Sequence, residues 1–119
     1  MEFDGFNEKY RTRTKKFAVA IIRFYGRQKK TDEIRIIGKQ LVRSATSVAA
    51  NFRAATRARS NAEFFSKMCI VVEEADETVF WLEILEESNL IRQQETTEIK
   101  AEILEILKVM SKVKKNAKS

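Results

Sequence analysis

The chain has 119 residues, with 23 Lys and Arg against 17 Asp and Glu for a net charge of +6, and it contains no histidine, no proline, three glycines and one cysteine. The missing histidine excludes Ser-His-Asp and Cys-His nucleophile systems, a histidine general base and a histidine metal ligand. The lone cysteine excludes an internal disulfide and a CxxC site, and the lack of proline and scarcity of glycine exclude a Gly-rich phosphate loop. What is left is the expectation of a single helical, basic, non-enzymatic domain over residues 1–119, with no cofactor and no metal.

Four helices follow from apolar spacing. The first is predicted over about 6–28, where Phe6, Tyr10, Phe17, Ile21, Phe24 and Gln28 recur at intervals of three, four or seven on one face. The second is predicted over about 33–58, capped by Thr31 or Asp32, with Ile34, Ile37, Leu41, Ala45, Val48, Phe52 and Ala55 as its stripe. Its small residues, among them Gly38, Ser44, Ala45, Ala49 and Ala50, predict close approach by a neighbouring helix. The third is predicted over about 61–88. Ser60 and Glu63 form a capping box at its start, Phe64, Met68, Val71, Ala75, Thr78, Leu82 and Leu85 form its face, and Asn89 is a candidate C-terminal cap. The fourth is predicted over about 94–114 on Ile99, Ile103, Ile106, Met110 and Val113; its glutamates come early and its lysines late, as the helix dipole favours. Long helices with short connections predict an all-α, antiparallel up-and-down four-helix bundle.

The net charge conceals segregation. Residues 1–59 carry 15 basic and 5 acidic side chains, residues 60–107 carry 3 and 12, and residues 108–119 carry 5 and none. At 100° per residue, Arg35, Lys39, Arg43, Arg53 and Arg57 fall within an arc of about 80° on the second helix. Lys9, Arg13, Lys16, Arg23 and Arg27 share one side of the first. With Arg59 and the lysine-rich tail they predict an extended basic surface for RNA or DNA backbones, where arginine offers bidentate phosphate geometry. The competing reading is that these cations pair with the acidic third helix, in the same chain or a neighbouring one.

The third helix has a second apolar side. Ile70, Phe80, Trp81 and Ile84 alternate there with Glu73 and Glu77, a mixture that predicts a contact between copies of the chain and leaves Phe80 and Trp81 largely in water in a lone protomer. Asn51 is expected to be a buried polar contact that sets helix register, and Cys69 a buried, inert thiol. Glu73, Glu74, Asp76 and Glu77 read as salt-bridging or solvated carboxylates rather than as a metal or acid-base site. The run Ala18 to Ile22 is far shorter than the about 20 apolar residues of a membrane span. The acidic opening lacks a signal-peptide layout, so the expectation is a cytoplasmic protein without a membrane partner.

Leu41 to Arg53 (LVRSATSVAANFR), Arg57-Ala-Arg-Ser60, Ala62-Glu-Phe64, Glu74-Ala-Asp-Glu-Thr78 and Phe80-Trp-Leu-Glu-Ile-Leu85 resemble a family of small bacterial four-helix bundles encoded in intervening sequences of large-subunit ribosomal RNA genes. Accessory proteins of diversity-generating retroelements form a related branch. The resemblance implies a ring-shaped homopentamer and, for the retroelement branch, binding to nucleic acid and to a reverse transcriptase. Many members follow the asparagine with an acidic residue and a glycine, where this chain has Ala54 and Ala55. The favoured expectation is an oligomeric nucleic-acid-binding accessory protein. The alternative is a protein-interaction scaffold whose basic lines serve an acidic partner or the oligomer.

Overall fold

The computed structural model describes residues 2–117, with side chains from residue 5 onward. Four α-helices follow one another: α1 (Glu2–Arg27), α2 (Asp32–Ala55), α3 (Asn61–Glu87) and α4 (Gln93–Asn116). Each neighbours the next and α4 returns to α1, so the helices form an antiparallel up-and-down square whose diagonals are filled by side chains. The body measures 44 × 22 × 18 Å, its length close to the roughly 39 Å expected of a 26-residue helix.

The core is the set of apolar stripes turned inward. Ile21, Leu41, Val48, Phe52, Met68, Leu82, Ile103, Ile106 and Met110 are fully buried. Truncating one such side chain to alanine would cost about 2–5 kcal/mol. Polar side chains are buried among them as well, at Thr14, Ser44, Thr78 and Thr96. Thr14, between Tyr10 and Phe17, is buried and returns its hydroxyl to the Tyr10 carbonyl at 2.7 Å. Ser44 and Thr78 meet across α2 and α3 with Oγ atoms 2.9 Å apart, each also within reach of a backbone carbonyl of its own helix. This pair is the buried polar link between those helices. Asn51, expected in that role, is half-buried and donates only to Ser47 one turn back, at 2.9 Å to both its carbonyl and its hydroxyl. It braces its own helix, and its hydrogen bonds among the described residues reach no neighbouring one.

Helix ends follow local chemistry. Thr31 caps α2 by accepting from the Ile34 amide at 3.2 Å. Ser60 caps α3 by accepting from the Glu63 amide at 3.1 Å, but Glu63 reaches past it to the Arg59 amide at 3.4 Å. Asn89 adopts φ 58° after α3, with the Leu90 amide on the Leu85 carbonyl at 3.2 Å and its own on Glu86 at 3.1 Å, the Schellman arrangement. Lys30 closes α1 by donating to the Tyr25 and Gln28 carbonyls at 2.6 Å each while its ammonium lies 4.6 Å from the Tyr25 ring centre. α1 starts at Glu2, four residues before the apolar stripe does. α2 stops at Ala55, short of the predicted 58, because the amides of Arg57 and Ala58 tighten to carbonyls three residues back.

Gly38 explains how closely α1 and α2 approach. Tyr25 lies against its Cα, and a Cβ there would sit 2.2 Å from Tyr25 Cε1. The other small residues of α2 divide: Ser44, Ala45 and Ala55 are buried, whereas Ala49 is half-buried and Ala50 exposed toward a groove beside α1.

Candidate functional site

The basic line of α2 survives folding on the outside of the bundle, but not intact. Arg35, Lys39, Arg43 and Arg53 are exposed along the helix, and Arg57 and Arg59 are exposed in the turn after it, because α2 ends first. Arg43 leaves the line for α3, donating to Glu74 at 3.1 Å and to Glu77. Its hydrogen bonds to Glu74 and then to Glu77 raise the affinity of the Arg43 guanidinium for its proton. Arg35 makes a loose, exposed pair with Asp32 at 3.5 Å on its own helix. Lys39, Arg53, Arg57 and Arg59 have no ion pair among the described residues.

The line on α1 turns away from α2. Arg13 bridges to Glu102 of α4 through Nε at 2.7 Å and a second nitrogen at 2.8 Å, and it also donates to the Tyr10 hydroxyl at 3.2 Å. Its proton is held more firmly through that hydrogen bond to Glu102. The two predicted lines therefore do not merge into one surface, and Arg13 and Arg43 are structural ties between helices. Lys9, Lys16, Arg23 and Arg27 remain exposed on the α1 line.

The cations that face α2 from α1 are Arg11 and Lys15, which the helical-line reading passed over. With Arg53 and Arg57 they line a groove of about 490 Å³ between the two helices. Its floor is Ala18, Thr46, Ala49 and Ala50, and no carboxylate lines it among the described residues. A signal was present: Arg11, Lys15 and Ala18 follow helical spacing on one flank of α1. Choosing between that flank and the opposite one required knowing which neighbour each meets.

The outer side of α3 is less exposed than predicted. Phe80 is 47% exposed. Trp81 is half-buried, packs against the core and donates its indole N–H to Glu77 at 2.9 Å. Glu77 is thus occupied within the chain, and the Trp81 hydrogen bond, aided by Arg43, holds its carboxyl below the usual carboxylate range. Ile70 and Ile84 are half-buried and Glu73 is exposed. Cys69 is half-exposed rather than buried. Among the described residues no three metal-ligating side chains converge, and no helix is long and apolar enough to cross a membrane.

The fold and this groove define a small all-α bundle in which cations outnumber acids on α1 and α2 and acids predominate on α3. The chain belongs to the 23S rRNA-intervening sequence protein family, whose model matches residues 8–112. It is also similar to a crystal structure of a protein with unknown function from the S23 ribosomal protein family of Bacteroides thetaiotaomicron. The two are 32% identical with a TM-score of 0.82, over 92% of this chain and 97% of that chain. No curated protein matches the chain.

Proposed function

We propose that this protein is a non-enzymatic, oligomeric binder of RNA or DNA backbones that works through the cations of α1 and α2. The observation that supports this reading is the persistence of charge segregation after folding. Of the eleven cations singled out above, only Arg13 and Arg43 reach acids of another helix among the described residues. The rest present charge to solvent, where it attracts phosphates and releases counterions. The name of the family, which refers to intervening sequences of 23S rRNA, agrees with an RNA ligand. Self-association through Phe80, Ile70 and Ile84, in a ring of five as the resemblance implies, would repeat the basic surface around an assembly and multiply its avidity.

A second reading is favoured by one observation: because Arg13 and Arg43 do find acids, the basic surface instead serves an acidic protein partner or neighbouring subunits of the oligomer. One experiment separates the two. Sedimentation of the wild type is measured alone and with added RNA or DNA, beside a variant with Arg35, Lys39, Arg53 and Arg57 changed to Glu. The expected result is an assembly heavier than the 13.8 kDa protomer that gains nucleic acid, with the gain lost in the variant and steeply weakened by salt. Unchanged nucleic-acid binding by the variant would refute the proposal. A 13.8 kDa particle throughout would refute the oligomer.

A further inference from the structure

We propose that the groove between α1 and α2 is the seat of a single nucleic-acid strand, held by its phosphates and not by its bases; this rests on the backbone-binding reading above and gives it a location. Arg11 and Lys15 stand on one wall, and Arg53 and Arg57 on the other. Cations on facing walls converge on one line of phosphates, whereas a duplex presents two ridges separated by a groove. Arg11 and Lys15 are one helical turn apart, about 6 Å along the axis, a step that matches successive phosphates of an extended strand.

The rest of the groove agrees with that occupant. Its floor of Ala18, Thr46, Ala49 and Ala50, with Thr12 beside it, leaves a groove of about 490 Å³ for a backbone between the helices. No carboxylate lines the groove among the described residues to repel a phosphate. No aromatic ring lines it either, so the stacking that proteins of this kind commonly add for each base is missing. Farther along the same helices, the groove is closed where Tyr25 packs on Gly38. The strand's path therefore runs from that pinch toward the end of α2, where Arg57 leaves the helix. The site should accept any base and should depend strongly on salt.

The test is fluorescence anisotropy of labelled 12-mers of oligo(U) and oligo(A) and of a 12-base-pair RNA duplex, each titrated over a range of salt. Four phosphate contacts on a single strand give a slope of log affinity against log salt of about −3. The oligo(U) and oligo(A) affinities should agree within about threefold, and both should exceed that of the duplex. Arg53→Gln with Arg57→Gln should halve the slope and weaken single-strand binding by about tenfold or more at low salt. Ala50→Glu, which removes no cation but puts a carboxylate on the floor, should weaken it as well. Lys67→Gln with Arg92→Gln, two cations outside α1 and α2 that do not line the groove, should leave it unchanged. Far-UV circular dichroism establishes that each variant is folded. Equal losses from the Arg53/Arg57 and Lys67/Arg92 double variants, preference for the duplex, or indifference to Ala50→Glu would overturn the groove while leaving nucleic-acid binding in place. No binding of any probe by the wild type would overturn both.

Discussion

Replacing Gly38 by alanine tests the close approach of α1 and α2, because the sign of the effect should depend on Tyr25. A Cβ at Gly38 would lie 2.2 Å from Tyr25 Cε1 and 2.3 Å from Cδ1, against about 3.5–4.0 Å for a comfortable carbon contact. The ring cannot swing aside freely, since Lys30 sits over it at 4.6 Å and is tied to the Tyr25 carbonyl. Overpacking of this kind costs about 1–3 kcal/mol. Alanine in place of glycine inside a helix returns about 1 kcal/mol. Gly38→Ala should therefore destabilise by about 1 kcal/mol, lowering the melting temperature by about 3–5 °C for a chain of this length. In a Tyr25→Ala background the clash disappears and the same change should stabilise by about 1 kcal/mol. Urea unfolding of the four proteins, at one protomer concentration because assembly would add to stability, should give a coupling of about 2 kcal/mol. A Gly38→Ala protein more stable than wild type, or one sign in both backgrounds, would refute the packing argument.

Two further outcomes concern the loop after α3 and the titration of the ion pairs. Asn89 occupies the left-handed region at φ 58°, so Asn89→Gly should be neutral or stabilising by a few tenths of a kcal/mol and Asn89→Val destabilising by about 1–2 kcal/mol, read by urea unfolding. With no histidine in the chain, the melting temperature should stay flat from about pH 5.5 to about pH 8. Below that window it should fall. Burial raises the Glu86 carboxyl, but the hydrogen bonds from Lys100 and Thr96 outweigh it and hold the group low. Glu77 is held low by Trp81, aided by Arg43. A group held low in the folded state contributes stability above its ordinary value of 4.5 and loses it as pH falls through its folded value. Lys100, raised by its hydrogen bond to Glu86, gives the opposite loss only above 10.5. A melting temperature that climbs as pH drops below 4.5 would contradict these assignments.

The sequence by itself determined the four helices, most of their ends and the faces they bury. Apolar spacing is set by the 3.6-residue repeat, and Thr31, Ser60 and Asn89 act through groups within a turn of themselves. The charge segregation was legible for the same reason, being a count along the chain. What a cation does was not legible. Arg13 and Arg43 belong to the same helical lines as the exposed cations, yet each spans to a carboxylate more than thirty residues away, Glu102 for one and Glu74 with Glu77 for the other. Arg11 and Lys15 lie off the helical line that drew attention on α1 but face Arg53 and Arg57 across a groove. Asn51 and Trp81 misled in opposite directions: an asparagine in mid-helix finds its partner one turn back, and a tryptophan on an outer face is half covered and anchored on Glu77. Periodicity fixes the angle at which a side chain leaves its own helix. The rotation of one helix against its neighbours decides whether that angle points at an acid, a groove or water, and only the packed bundle contains that rotation.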